Sequence, residues 1–151
     1  MPTARTALIV DDDSTLRYVL ARLARLAGYE TMEAKDSSSG LEMAIHKAPQ
    51  VVVADVRLPD YDGFELCRRM KMEKTTKKIP VILVTSMYYE TGKVNESIAA
   101  GKKKARAAGA LELFPRGEAL DHLGPLLKKI SARNIAARKA MARKAATPKQ
   151  S

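Results

Sequence analysis

Ala7-Leu8-Ile9-Val10-Asp11-Asp12-Asp13 is the stretch that decides how this chain folds. Four apolar residues without helical spacing run straight into three carboxylates and then Ser14. A short continuous apolar run closed by acidic or turn-forming residues is the pattern of a strand buried on both faces of a parallel sheet. The pattern returns at Val51-Val52-Val53-Ala54-Asp55. In an open α/β sheet, ligands sit at the carboxyl ends of the strands, where the strand order reverses. Aspartates brought there by two neighbouring strands repel each other, so the cluster costs stability unless a cation or a proton neutralises it. A hard divalent cation such as Mg²⁺ suits oxygen ligands of this kind. The plainer alternative is that Asp11 to Asp13 only cap the next helix, for which one aspartate, or Ser14 alone, is enough.

Bulk properties bound the rest. A chain of 151 residues suits one domain plus an extension. A hydrophobic content of 46% is that of a chain that folds around a core. No apolar run approaches the ~20 residues of a membrane span, and the first residues hold no apolar signal segment. Cys67 is the only cysteine, so no internal disulfide forms, and a cytoplasmic location is expected. Cys67 itself reads as a small packing residue in a helix. The net charge of +10 is unevenly placed: residues 126–151 hold eight Lys or Arg and no Asp or Glu, which leaves residues 1–125 at a net of +2. A near-neutral body with a strongly basic end directs attention to polyanions or acidic partners at that end.

Along the chain, strand-like and helical segments alternate five times. After the first strand, Leu16, Val19, Leu20, Leu23 and Ala27 step by three and four on one helical face, and Gly28 ends that helix. Tyr29–Ala34 reads as a strand, and Leu41–Lys47 as a helix capped by Ser37–Ser39 and closed off by Pro49. His46 fits a C-terminal dipole partner rather than a ligand. Strand three is Val51–Ala54, and Phe64–Met72 is the third helix. Val81–Thr85 is strand four, part of 90–108 is the fourth helix, and Ala110–Phe114 is strand five. From about Glu118 the pattern is helical, with a break or kink expected at Gly124-Pro125. Thr147–Ser151 is expected to be disordered. Such alternation implies an α/β fold: a parallel sheet, right-handed crossovers, and helices on both faces.

At this point the residues resemble the receiver domain of bacterial two-component response regulators, over about residues 5–130. Leu8-Ile9-Val10-Asp11-Asp12-Asp13-Ser14 is similar to the family's first strand and acidic pair. Asp55-Val56-Arg57-Leu58-Pro59-Asp60-Tyr61-Asp62-Gly63 is similar to its phosphoacceptor loop, Val81–Ser86 to its fourth strand with the signalling Thr/Ser, and Ala108-Gly109-Ala110 to the entry of its fifth. The resemblance implies a five-stranded parallel sheet of flavodoxin-like order 2-1-3-4-5, spanning residues 1–130, with residues 131–151 as a basic helical or disordered tail. It makes Asp55 the phosphoacceptor. Mg²⁺ would be held by Asp11, Asp12, Asp55 and the backbone carbonyl of Arg57, and Thr85 would donate its hydroxyl to a phosphoryl oxygen. Asp13 would lie outside the metal's ligands and cap the helix. The partners implied are a sensor histidine kinase or phosphotransfer protein and a downstream protein target. The only chemistry implied is Mg²⁺-dependent self-phosphorylation and dephosphorylation of Asp55.

The family pattern also fails in places. Its Lys-Pro pair after strand five falls on Arg116-Gly117, so Arg116 either replaces the lysine, with a different hydrogen-bond geometry, or points to solvent. The family's aromatic residue of strand five falls on Leu113. The stretch from Thr85 to Gly109 is longer than usual and holds Tyr88, Tyr89 and the basic run Lys102-Lys103-Lys104-Ala105-Arg106, read as a solvated helix face. Too few residues follow 130 for a familiar output domain, so the expectation is a stand-alone receiver that signals by protein–protein contact. Two alternatives are kept. One is a receiver-fold binding protein whose basic tail contacts nucleic acid or an acidic partner. The other is a pseudo-receiver that never carries phosphate.

Overall fold

The computed structural model describes residues 5–85 and 94–146. Five strands, β1 (Thr6–Val10), β2 (Glu30–Ala34), β3 (Val51–Asp55), β4 (Val81–Thr85) and β5 (Glu112–Pro115), alternate with five helices. The helices are α1 (Ser14–Leu26), α2 (Ser37–Lys47), α3 (Gly63–Met72), α4 (Val94–Ala108) and α5 (Arg116–Ala146). All strand pairs are parallel, in the order β2-β1-β3-β4-β5. This is the flavodoxin-like order, and its reversal between β1 and β3 places the carboxyl ends of those two strands side by side.

The sheet's two faces are divided by the two-residue period of its strands. Leu8, Val10, Val52, Ala54, Val81, Leu83 and Leu113 point to one side, where Ala44 of α2, Leu66 and Met70 of α3, and Ala105 of α4 cover them. Ala7, Ile9, Val51, Val53, Ile82, Val84 and Phe114 point to the other, against Leu20 and Ala24 of α1 and Leu123 and Leu127 of α5. Because both faces are covered, β1, β3 and β4 bury almost every residue, which is why their sequences read as unbroken apolar runs. Cys67 is fully buried in the first of these layers, and burial pushes its thiol up to about 11. It is a packing residue and no nucleophile at neutral pH.

Several local expectations are corrected. α2 begins at Ser37, four residues earlier than its apolar pattern predicts, and its cap is Asp36, whose carboxylate accepts from Ser39 N at 2.7 Å. β5 begins at Glu112 rather than Ala110, because Ala110 N is spent on the Ala105 carbonyl, closing off α4. α5 runs through Pro125 as one continuous helix, without the break considered there. Proline leaves the Asp121 carbonyl without its usual donor, and both residues are exposed. The helix also starts at Arg116 rather than at about Glu118, and Ser131 on it is buried. The basic run of α4 is only partly a solvated face. Lys102 Nζ reaches Glu112 Oε1 at 3.1 Å and the Leu113 carbonyl at 2.8 Å, and Lys104 Nζ lies 4.7 Å from the centroid of the Phe64 ring. Tyr88 and Tyr89, and the expected disorder of Thr147–Ser151, lie outside the described residues.

Candidate functional site

β1 and β3 end level with each other, with Val10 beside Ala54. The residues that follow therefore converge. Carboxylate oxygens of Asp11, Asp12 and Asp55 all lie within 4.8 Å of one another. Asp11 is fully buried, Asp55 is 8% exposed, and Asp12 is exposed at the mouth. Asp11 Oδ1 accepts from Asp13 N at 2.9 Å, and its Oδ2 is buried without a hydrogen-bond partner. Asp55 Oδ1 accepts from Arg57 N at 3.2 Å.

Burial is the main reason these acids are reluctant to ionise. It pushes Asp11 up to about 7; the charges of Asp55, Asp12 and Asp13 add to that, against the Asp13 N–H hydrogen bond. Burial also raises Asp55 to about 6; Asp12 adds to the effect, while the Arg57 and Val56 N–H groups and the Arg116 charge oppose it. A buried carboxylate oxygen with no donor, set among like charges, is the environment a hard cation relieves. The donor set therefore fits a divalent metal bound by oxygen.

Asp13 does not join the cluster. Its Oδ1 accepts from Thr15 N and Leu16 N, capping α1, while its Oδ2 meets Arg116 at 3.3 Å. The two helix N–H groups, with Arg116, hold the Asp13 carboxyl below its ordinary value. Arg116 follows directly on Pro115, the partner of Thr85 in the β4–β5 register. It is thus delivered to the rim of the pocket, against Asp13, with its side chain 44% exposed. Thr85 closes β4 one residue after Val84, the register partner of Asp55, and is 1% exposed. Arg57 sits two residues past Asp55 on the exposed loop.

Sequence reasoning missed how this loop is anchored. Asp60 takes Ser37 N at 2.9 Å, Ser38 N at 2.8 Å and the Ser38 hydroxyl at 2.8 Å. Partial desolvation raises the Asp60 carboxyl, but these hydrogen bonds outweigh it and hold it well below the usual carboxylate range. The Ser37 hydroxyl donates to the Tyr61 carbonyl, and the Arg69 guanidinium stacks 3.9 Å from the centre of the Tyr61 ring. The loop after Asp55 is thereby pinned to the N-terminus of α2. Asp62 caps α3 through Glu65 N, and Gly63 N bonds the Val56 carbonyl at 2.8 Å. A Cβ on Gly63 would lie 2.5 Å from the Asp55 carbonyl oxygen and 3.0 Å from Val56 Cα. Gly63→Ala is therefore expected to push α3 off the backbone that carries Asp55, at a cost of about 1–3 kcal/mol. Thermal unfolding of the variant measures this; an unchanged melting temperature would mean the contact relaxes freely.

The doubly wound sheet and its acidic pocket define a class of signalling domain, and comparison with known proteins places the chain in it. The chain belongs to the response regulator receiver domain family, whose model matches residues 7–105. It is 34% identical over 90 residues to the phosphate regulon transcriptional regulatory protein PhoB of Pseudomonas aeruginosa, covering 60% of this chain and 39% of PhoB. It is 36% identical over 87 residues to Protein PilH of the same organism, covering 58% of this chain and 72% of PilH. A crystal structure from Chloroflexus aurantiacus J-10-fl, assigned as a response regulator, superposes with a TM-score of 0.73 at 30% identity, covering 86% of this chain and 99% of that one. The match to PhoB thus spans well under half of that relative's length. Receiver domains are signalling modules that bind Mg²⁺ at an aspartate cluster and work with histidine kinases or phosphotransfer proteins and downstream effectors. Among the described residues, no helix is long and apolar enough to cross a membrane.

Proposed function

We propose that this chain is a phosphoacceptor response regulator, taking a phosphoryl group on Asp55 in a Mg²⁺-dependent step and passing the signal on by protein–protein contact in the cytoplasm. Residues 1–130 would form the receiver and 131–151 a basic extension. The observation that carries this reading is the Asp11 Oδ2 atom, buried and unpartnered on a carboxylate that clusters with those of Asp12 and Asp55, oxygens of the three lying within 4.8 Å of one another. A purely structural cluster has no use for it.

Asp11, Asp12, Asp55 and the Arg57 carbonyl would hold the cation, which would supply charge neutralisation for an incoming phosphate. Asp55 is the nucleophile. A carboxylate oxygen attacks phosphorus, the bond to the donor's leaving group breaks, and an acyl phosphate remains on Asp55. Little covalent work is asked of the protein, because the transition state is governed by positioning and by neutralising spread negative charge. Thr85, ending the neighbouring strand, is suited to donate its hydroxyl to a phosphoryl oxygen. Arg116 is suited to leave Asp13 for the arriving phosphate, a better partner for a guanidinium than a capping carboxylate already satisfied by two N–H groups. A sensor histidine kinase or phosphotransfer protein would be the physiological donor.

Incubation with acetyl phosphate, with Mg²⁺ or with EDTA, followed by intact-mass measurement, tests the reading. One added phosphoryl group is expected with Mg²⁺ and none with EDTA; none under either condition would make the chain a pseudo-receiver. Arg116→Ala is expected to slow labelling about tenfold, equivalent to about 1.4 kcal/mol of transition-state stabilisation, with Mg²⁺ binding retained. Arg116→Lys should restore most of the rate. Labelling unchanged in the alanine variant would leave Arg116 with its Asp13 contact alone.

A further inference from the structure

The C-terminal half of α5 carries a charged face that phosphoryl transfer does not use. Residues 126–151 hold eight Lys or Arg and no Asp or Glu, so the segment cannot neutralise itself with side chains of its own. The helix continues to Ala146. At 100° per residue, Lys128, Lys129, Arg133, Lys139, Arg143 and Lys144 fall within an arc of about 160°, and all six are exposed. The opposite stripe is the one that docks. Leu123, Leu127 and Ile130 are buried against the sheet. Further along the same stripe, Asn134, Ala137 and Met141 line a groove of about 310 Å³ with Pro49, Ile79 and Pro80, at the lower rim of β3 and β4. The body of the protein thus faces one side of the helix, and the basic arc is turned to solvent over roughly 24 Å of helix length.

Three kinds of partner take a cationic helix face, and the residues between the charges discriminate among them. An anionic membrane is held by large apolar side chains working beside the cations, whereas here the residues within the arc are Ala132, Ala136 and Ala140, and Ile135 at its edge is half-buried. A protein partner is usually anchored by large buried side chains at the centre of the contact, and this arc has none. Single-stranded nucleic acid is gripped by aromatic stacking, and no aromatic residue follows Tyr89 and Phe114 in the chain. Duplex nucleic acid needs none of these. It presents a phosphate charge every ~1.7 Å along its axis and binds arrays of Lys and Arg through counterion release. Small alanines between the cations let the helix approach that charged wall closely.

We infer that the outer face of α5, from Lys128 to Lys144, binds the phosphate backbone of duplex nucleic acid without reading its sequence. This is independent of phosphorylation at Asp55. The test uses the full chain and two unrelated duplexes of about 30 base pairs, followed by fluorescence anisotropy between 50 and 200 mM salt. Both duplexes should bind alike, and affinity should fall about 10³-fold across that range if about six contacts are made. The triple variant Arg133→Gln, Lys139→Gln, Lys144→Gln should bind at least tenfold more weakly at the low salt and lower the salt slope by about three, with its circular dichroism and acetyl phosphate labelling unchanged. A control triple of equal charge loss on the body, Lys74→Gln, Lys77→Gln, Arg106→Gln, should bind nearly as the wild type does. Three results would each overturn the inference: no binding by the wild type at 50 mM salt, an equal loss in both triples, or tighter binding to phosphatidylserine vesicles than to duplex.

Discussion

Stripped of divalent cations, the protein is expected to melt roughly 5–10 °C lower at pH 8 than at pH 5, and millimolar Mg²⁺ is expected to close most of that gap at pH 8 while doing little at pH 5. The sign follows from the buried acids. Asp11 and Asp55 ionise at about 7 and about 6 in the folded chain, against an ordinary 3.8. The folded state therefore holds these protons more tightly than the unfolded state does. The resulting stabilisation is complete below pH 3.8 and is lost as pH rises through about 6 and then about 7. Discounted for partial solvent contact, the ionised pair costs on the order of 3 kcal/mol at pH 8. A cation bound only by the folded state offsets that cost by mass action. Asp11→Asn should flatten the pH dependence, and Asp12→Ala should remove most of the Mg²⁺ effect. A wild-type melting temperature that is flat from pH 5 to pH 8 and indifferent to Mg²⁺ would mean that the cluster is neither strained nor a metal site.

Asp55→Asn should abolish labelling by acetyl phosphate and, in the same preparation, raise the melting temperature of the metal-free protein at pH 8. The two readouts have different causes. Labelling is lost because an amide is a poor nucleophile towards phosphorus. Stability is gained because one of three mutually repelling carboxylates becomes neutral at nearly constant volume, while the side-chain carbonyl can still accept the Arg57 N–H. If the variant still takes up phosphate, another residue is the acceptor. If labelling disappears together with the fold, the aspartate is structural, and circular dichroism separates that case from the first.

The parts of this molecule that could be read from the sequence are those governed by nearest neighbours. β1, β3 and β4 announce themselves because burial on both faces leaves a continuous apolar run, and Asp11, Asp12 and Asp55 stand where such runs stop. α1 is legible from Leu16, Leu20 and Leu23 on one face, whereas its cap stayed open among Asp11 to Asp13 and Ser14 until the family resemblance pointed to Asp13. The order of the sheet came from family resemblance; apolar patterning does not say which strands are neighbours. What was illegible depends on long reach. Asp60 caps a helix more than twenty residues before it in sequence, and Tyr29 Oη donates to the Leu127 carbonyl at 2.7 Å across 98 residues. Nothing local marks either contact. The break considered at Pro125 does not occur, and Pro125 and Asp121, whose carbonyl loses its usual donor there, are both exposed residues. Lys102, counted among the solvated lysines of α4, is instead tied to Glu112 and to the β5 backbone, a pairing set by how α4 packs on the sheet.

The most direct test of the central claim is to trap the product. The wild-type chain is incubated with acetyl phosphate and Mg²⁺, the acyl phosphate is reduced with borohydride, and the digested peptides are sequenced by mass spectrometry. One reduced residue is expected, Asp55, converted to homoserine only when Mg²⁺ is present. Reduction at Asp11, Asp12 or Asp13, or none at Asp55 despite saturating donor and metal, would contradict it.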